Sequence, residues 1–292
     1  MADFVDSTES RSDEPQVSGK KPMPPGQVFI RHLFLILISL TTLAPFLWMV
    51  LTSFKPMNEV SNLNPIPIHW QPENYPEVFK QIPFAHYYFN SVFIAAWTTF
   101  LQVLTSAMAA FAFSRLRWPG RDQVFRLYLA TLMIPGIVTM IPNYAIMVNL
   151  HLLDSYTGLI VPASFTAFGT FLLRQFMLTI PRALDEAAAI DGASAGTVFW
   201  DVILPLARPG LITLAIFSFM GNYGSLLWPM ILVKSEGLRT LPVGMMFFDS
   251  NYGKATNLIM AASVMNIVPL IILFVVTQKY LVKGIQLGAV KG

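Results

Sequence analysis

The sequence is dominated by long apolar runs that contain no Lys, Arg, Asp or Glu. Six such runs occur, at residues 33–52, 91–113, 127–148, 158–173, 209–233 and 257–278. About 20 mostly apolar residues are needed to cross the hydrocarbon core as an α-helix, so each run predicts one spanning helix. The fourth run is the shortest and contains Gly158, Pro162 and Gly169, but the polar segments on both sides favour a crossing. The pattern predicts an all-α integral membrane protein with six transmembrane helices.

Composition supports a membrane domain and excludes a large soluble one. Apolar residues make up 54% of the 292 residues and charged residues only 12%, whereas about a quarter of a soluble domain is charged. Residues 1–27 differ from the rest because they are rich in acids and prolines and have few large apolar side chains. We therefore predict a disordered cytoplasmic tail at 1–27 and a transmembrane domain at 28–292.

The distribution of basic residues predicts the orientation. Of the 19 Lys and Arg residues, 14 lie on the side of the predicted spans that holds both termini. The other side holds the remaining five, which are Lys55, Lys80, Lys234, Arg239 and Lys254. Because cytoplasmic loops carry the excess of Lys and Arg, both termini are predicted to be cytoplasmic.

The sequence lacks the residues that several classes of chemistry require. The 16 acidic residues all fall outside the six runs, which disfavours a carrier driven by protons or sodium ions. The chain has no cysteine, no HExxH, no phosphate-binding GxxxxGK[ST] and no GxSxG turn. We therefore predict no catalytic, cofactor-binding or metal-binding residue. A secondary carrier or channel that works without an ATPase remains an alternative, and a membrane enzyme is a weaker one.

The connection between the fourth and fifth runs is richer in helix-forming residues than a short loop requires. Thr179 is a suitable helix cap and Pro181 suits a first turn, so we predict a helix over residues 182–191. Glu186 would lie near its positive end, and Gly192 would end it.

A second short helix is predicted directly after the first. Ser194 can cap a helix over residues 195–204, and Pro205 is predicted to stop it. The preceding helix presents Ala183, Ala187 and Ile190 along one stripe. Such small side chains permit close approach of a cytoplasmic partner, but the helix could also lie on the lipid headgroups.

The string EAAAIDGASAGTVFWDVILP in this connection resembles the EAA loop of ABC importer permeases. The family pattern is EAA, three residues, Gly, nine residues and I-x-L-P, with Val202 here in place of Ile. The residues in register are Glu186, Ala187, Ala188, Gly192, Leu204 and Pro205. AFAFSRLRWPG at 110–120, LLDSYTGLIVP from Leu152 and the terminal LVKGIQLGAVKG are similar to the MalG-like branch of carbohydrate importers.

The resemblance implies a permease subunit of the inner membrane that forms half of a pathway for a sugar or related polyol by alternating access. It implies a different second permease subunit, two cytoplasmic ATPase subunits and an extracytoplasmic solute-binding protein, and neither a nucleic acid nor covalent chemistry. By this resemblance Glu186 meets a donor of the ATPase, Ala187 and Ala188 fit its cleft, and Gly192 sets the bend. The terminal residues 288–292 either reach towards the ATPase or fray.

Two further sets of residues are candidates for contacts with solute and binding protein. Neutral hydrogen-bonding groups within the runs would suit a sugar path, although for each residue taken singly polar contacts between helices are the favoured role. They are Asn143, Tyr144, Asn222, Tyr223 and Asn266. The GNYGSLLWPM segment departs from the branch, which has a Trp-Asn pair before LWP. The outer loop 245–257 resembles the loop that enters the binding protein, with Phe248, Asp249, Asn251 and Tyr252 as contacts, or it only caps the bundle.

Overall fold

A computed structural model describes residues 24–251 and 255–289, and its regular secondary structure in these ranges is entirely helical. Of the tail predicted over residues 1–27, residues 1–23 lie outside the described residues, and residues 25–27 are helical because the first helix begins at Pro25. The α-helices are α1 Pro25–Ser53, α2 Asn74–Gln81, α3 Phe84–Ser114, α4 Arg121–Ala130, α5 Gly136–Asn149, α6 Tyr156–Ile160, α7 Ala167–Thr179, α8 Ala183–Ile190, α9 Ala195–Thr197, α10 Leu204–Leu206, α11 Arg208–Tyr223, α12 Leu227–Leu232, α13 Leu241–Asn251 and α14 Thr256–Ala289.

Three single helices and three bent helix pairs are long and apolar enough to span a membrane. The single helices are Gly26–Ser53, Phe84–Ser114 and Thr256–Gln278. The bent pairs are Arg121–Met133 with Gly136–Asn149, Tyr156–Ser164 with Ala167–Thr179, and Ala195–Leu206 with Arg208–Tyr223, and they bend by 99°, 44° and 76°. If each pair crosses once, the described chain has six spans. The predicted all-α membrane fold is confirmed.

The third, fourth and fifth spans are not the continuous helices that the sequence predicted, and the fourth is interrupted between Ser164 and Ala167. The third is broken at Ile134, whose backbone is extended because the following Pro135 disfavours helical geometry there. The fifth was predicted as one helix over residues 209–233, but α11 ends at Tyr223 and α12 begins only at Leu227. Pro229 lies in the first turn of α12, where its missing N–H costs little.

Residues 48–292 form one compact unit, in which α3 packs against α7 and α11. The buried residues of this core include Ala107, Ala110, Phe111, Leu173, Met177 and Leu214. Glycines allow the close approach. A Cβ at Gly169 would lie 2.6 Å from the Ser106 Oγ, and one at Gly210 would lie 2.7 Å from the Phe176 ring. Small residues at such contacts are typical of helix packing in membranes.

A buried asparagine fixes the segment after α12 to the first turns of α3. The fully buried Asn90 Nδ2 donates to the backbone oxygens of Gly237 and Arg239, both at 2.9 Å. Its Oδ1 accepts from the Tyr156 hydroxyl at 2.7 Å. Three hydrogen bonds of this side chain therefore join three parts of the chain.

Asn90→Ala should lower the free energy of unfolding by about 3 kcal/mol, because it leaves buried polar groups without partners and each costs about 1–3 kcal/mol. Asn64→Ala is the matched control, since the Asn64 side chain is exposed. Thermal unfolding of the purified protein in detergent measures the difference. Equal midpoints for the two variants would contradict the assigned role of Asn90.

Candidate functional site

The connection between α7 and α11 contains the two short helices that the sequence predicted, with different boundaries. The first, α8, begins at Ala183 and has Arg182 as its cap residue. Thr179 was predicted as its cap, but it is the last residue of α7, and its hydroxyl donates to the Phe176 oxygen at 2.7 Å. The predicted cap of the second helix is confirmed, because the Ser194 Oγ accepts from the Thr197 N–H at 3.2 Å.

Pro205 does not stop the second helix, contrary to the prediction. The chain continues from α9 through a π-helical segment, Val198–Ile203, into α10, which contains Pro205. In an α-helix the proline ring would clash with the carbonyl of Asp201, four residues earlier. The wider π-helical turn accommodates the proline, so helical backbone extends to Leu206.

Gly192 ends α8 as predicted and has a left-handed backbone with φ of +80°. Nothing lies within 4 Å of a Cβ added at Gly192, so its constraint is conformational and not steric. A residue with a Cβ at position 192 would be destabilised by about 1–2 kcal/mol in this left-handed conformation.

Gly192→Ala should therefore reorient α8 and lower stability by about 1 kcal/mol. Gly196→Ala, in α9 without a positive φ, is the matched control and should be neutral. Asn tolerates the left-handed region better, so Gly192→Asn should restore part of the loss. Solute uptake and thermal unfolding of the three variants check this, and equal behaviour of the two alanine variants would contradict it.

Helix α8 is anchored on one side and open on the other. Ala188 packs against the buried cluster that contains Phe199. Ala187 and Glu186 are exposed, and the Ile190 side chain is 86% exposed. The stripe identified from the sequence thus lies on the surface, and Glu186 forms no ion pair within the described ranges. It is free to meet a partner.

An arginine of the AFAFSRLRWPG segment, for which the sequence predicts no contact, holds α8 in place. Arg115 follows the last residue of α3, and its side chain is only 4% exposed. Its Nη1 donates to the Asp185 Oδ2 at 2.9 Å, and its Nη2 donates to the Ile180 oxygen at 2.9 Å and to the Met177 oxygen. One guanidinium therefore ties α8 to the ends of both α3 and α7.

Two more arginines contact the C-terminal end of α3. The Arg174 Nε donates to the Phe113 oxygen at 3.2 Å, and the Arg182 Nη2 lies 3.4 Å from the Ser114 oxygen. Positive charge is favourable beside the last carbonyls of a helix, which carry its negative dipole end. The sequence gives no signal for these contacts, because the partners are more than 60 residues apart.

Near the N-terminal end of α3, the carboxylate of Asp154 joins two loops. Asp154 accepts from the backbone N–H groups of Lys234 and Ser235 and from the Ser235 hydroxyl, at 2.9–3.0 Å. These hydrogen bonds hold the pKa of Asp154 below its usual range. The carboxylate therefore stays ionised and keeps the two loops together down to acidic pH.

A cavity of about 340 Å³ with both polar and apolar lining residues lies between α3, α7 and α11. Of the five predicted path residues, Asn222 lines it, together with Gln102, Thr166, Phe168, Leu214, Phe217, Ser218 and Gly221. The Asn222 Nδ2 donates to the Gln102 Oε1 at 3.3 Å. Gln102, Thr166 and Ser218 were missed, although Gln102 is a conspicuous polar residue in the second apolar run.

The other predicted path residues lie elsewhere. Tyr223 is 2% exposed, and its hydroxyl donates to the backbone oxygen of Asn266 at 3.1 Å. Asn143 lines a separate groove of about 260 Å³ that contains Ser225 and Trp228. Tyr144 lies one residue further along α5 and is half-buried. The structure thus brings Asn222 but not Tyr223 to the cavity.

The candidate contacts with a binding protein fall at the end of α13. The segment from residue 245 was predicted as a loop, but its backbone is helical to Asn251, because the helix is started by Leu241, whose N–H donates to the Ser91 Oγ at 2.7 Å. Phe248 and Asp249 lie on this helix, and Tyr252 lies outside the described residues. Of the terminal segment, residues 288 and 289 end α14 and the remainder is also outside.

Comparison with known proteins finds similarity over most of the chain. Residues 102–286 match the family described as binding-protein-dependent transport system inner membrane component. The arabinooligosaccharides transport system permease protein AraQ of Halalkalibacterium halodurans is 34% identical over 87% of this chain and 93% of its own length. The diacetylchitobiose uptake system permease protein NgcG of Streptomyces coelicolor is 32% identical over 89% and 87%.

Two further similarities extend the comparison. The sn-glycerol-3-phosphate transport system permease protein UgpE of Yersinia enterocolitica is 36% identical over 70% of this chain and 73% of its own length. The crystal structure of a bacterial ABC transporter involved in the import of the acidic polysaccharide alginate contains a chain that is 25% identical, with a TM-score of 0.80. That match covers 89% of the present chain and 99% of the other.

Proposed function

The chain belongs to the inner membrane components of binding-protein-dependent transport systems, and on this premise we propose which surface couples to ATP hydrolysis and which cavity conducts solute. It is a permease subunit of an ABC importer, and it is a transport component rather than an enzyme. Family membership implies a partner permease, an ATPase and a binding protein.

The exposed face of α8 is the docking surface for one of two cytoplasmic ATPase subunits. Ala187 and Ile190 are exposed on it, while Ala188 anchors it to the core. Glu186 supplies a charge that a donor of the ATPase can pair, and Gly192, Leu204 and Pro205 set the path back to α11. A rigid, outward-facing helix can pass the closure of the ATPase to the bundle and so drive alternating access. With α8 docked to a cytoplasmic ATPase, and with the excess of Lys and Arg on the same side as the termini, we propose that α8 and both termini lie on the cytoplasmic side of the inner membrane.

The solute is a neutral, hydroxyl-rich molecule such as an oligosaccharide or polyol. The observation that carries this proposal is the lining of the cavity at Asn222, which has amide and hydroxyl groups but no Lys, Arg, Asp or Glu. Hydroxyl groups of a sugar pair with such neutral groups, and Phe168 and Phe217 supply apolar surface for its ring faces.

The solutes that the names of the relatives state differ in charge. The names of AraQ and NgcG state arabinooligosaccharides and diacetylchitobiose, which are uncharged, whereas that of UgpE states sn-glycerol-3-phosphate, an anion. An anion in a low-dielectric path needs a compensating positive charge. The uncharged lining therefore favours the first kind of solute for this subunit.

Uptake by the assembled importer in proteoliposomes tests the cavity. Asn222→Ala combined with Gln102→Ala should raise the KM for a neutral oligosaccharide about fivefold or more, the equivalent of one lost hydrogen bond, without stopping ATP hydrolysis. Asn149→Ala, an exposed asparagine at the end of α5, is the matched control. Uptake of glycerol phosphate in preference to neutral oligosaccharides, or an unchanged KM in the double variant, would overturn the proposal.

A further inference from the structure

We propose that the groove between the end of α3 and the start of α4 binds the headgroup phosphate of an anionic phospholipid. The groove has a volume of about 350 Å³. Its lining residues are Arg117, Trp118, Gly120, Arg121, Asp122, Gln123 and Arg182. Arg182 is the cap residue of α8, but the lining includes none of the exposed α8 residues Glu186, Ala187 and Ile190 and shares no residue with the cavity at Asn222.

The groove has more positive charge than its own carboxylate can neutralise. Asp122 is its only acid, and its Oδ1 accepts from the Arg121 Nε at 3.0 Å and lies 3.9 Å from an Arg174 nitrogen. Arg117 forms no hydrogen bond or ion pair within the described part of the chain. Arg182 has one long contact, 3.4 Å to the Ser114 oxygen. Two guanidinium groups are therefore available to a phosphate.

The backbone at the groove adds donors to these side chains. The ten-residue helix α4 begins here after Gly120, which has a φ of +80°, and no side chain caps it. Val124 is the first residue after the cap whose N–H bonds back to the Gly120 oxygen, at 3.0 Å. The Arg121 N–H donates to the Trp118 oxygen at 3.4 Å, so the N–H groups of Asp122 and Gln123 are left to solvent or to an anion, a position that favours phosphate.

The surroundings of the groove identify the phosphate as that of a lipid. Helix α3 has 31 residues and is about 46 Å long, so it exceeds the hydrocarbon core of about 30 Å and its end reaches the headgroup level. Exposed apolar side chains continue from the groove along α4, where Val124 is 46% and Leu127 is 71% exposed. The half-exposed Trp118 is of the type enriched at the membrane interface. Acyl chains can follow this apolar face while the headgroup enters the groove.

Lipid retention by the assembled importer tests the proposal. The complex is placed in nanodiscs of phosphatidylcholine mixed with phosphatidylglycerol, extracted with detergent, and its bound lipids are measured by native mass spectrometry. Arg117→Gln with Arg182→Gln should reduce retained phosphatidylglycerol about 25-fold, the product of about fivefold for each arginine near an anionic surface. Arg126→Gln, an exposed arginine of α4 outside the groove, should keep it.

Two further measurements distinguish a lipid from a protein surface or a free anion in the groove. The sequence contains no cysteine, so Gln123→Cys provides a single thiol in the groove for an impermeant reagent. Protection of this thiol by phosphatidylglycerol, with or without the ATPase subunits, supports the proposal. Protection only by the ATPase would mean that a protein surface fills the groove, and displacement of the lipid by millimolar inorganic phosphate would mean a free anion site. Either result, or equal lipid retention in both arginine variants, overturns it.

Discussion

Arg115→Ala should abolish ATP-driven uptake while the chain still inserts into the membrane. The variant leaves the Asp185 carboxylate, 24% exposed, and the Met177 and Ile180 carbonyls without their common donor. Removing one partner of a buried ion pair costs about 3–5 kcal/mol. This loss of stabilisation affects the contacts between α8 and the helix bundle and does not affect the spans. We therefore expect movement of α8 to be no longer transmitted.

The control for this prediction is Arg126→Ala, which removes an equal charge from an exposed position. Uptake and ATP hydrolysis are measured together in proteoliposomes. Arg115→Ala should retain ATP hydrolysis but lose uptake, whereas the control should retain both. Arg115→Gln with Asp185→Asn removes both charges. If the ion pair itself connects α8 to the bundle, this double variant should lose less ATP-driven uptake than Arg115→Ala. Normal uptake by Arg115→Ala would show that α8 is held by other contacts.

Glu186→Arg should weaken binding of the ATPase and reduce uptake by one to two orders of magnitude. Glu186 is exposed in the first turn of α8, and a charge-assisted hydrogen bond from it to the ATPase contributes about 1.5–3 kcal/mol. A cation at this position would repel the donor and would also oppose the positive end of the helix dipole. The dipole effect alone is about 0.3–1 kcal/mol, too small to unfold the chain.

Asp201→Arg supplies the matched charge change in the same connection. Asp201 is exposed in the π-helical segment, away from the first turn of α8. Co-purification of the ATPase and thermal unfolding of the permease separate docking from stability. Glu186→Arg should lose the ATPase at an unchanged unfolding temperature, and Asp201→Arg should keep both. If Glu186→Arg retained its ATPase and its uptake, the docking surface would have to lie elsewhere.

The spans could be predicted because length and lack of charge suffice to identify a segment that crosses a bilayer. Their bends could be predicted only in part. Pro135 marks the break in the third span, but Pro45, Pro142 and Pro269 lie inside continuous helices. Whether a proline bends a helix depends on neighbouring groups that satisfy the freed carbonyl, and these come from elsewhere in the chain.

The residues of the candidate site could likewise be predicted only in part. Gly192 and Ser194 were found because a helix end and a cap are local chemistry. Arg115 was not, because its partners lie about 60–70 residues away and are mostly backbone carbonyls, which have no sequence signature. Asn222 and Tyr223 illustrate the same limit. Adjacent on one helix, they face in different directions, and only packing decides which one reaches the cavity.

The π-helical turn before Pro205 influences more than its own segment. It accommodates an additional residue within one turn, and a single residue corresponds to about 100° of rotation around a helix axis. If Val198–Ile203 tightened to α-helical spacing, α10 would turn by that angle, and the 76° bend before Arg208 would send α11 in another direction. The direction in which Asn222 points around the axis of α11 is therefore set by the backbone hydrogen bonds of residues 198–203, about 20 residues earlier in the chain.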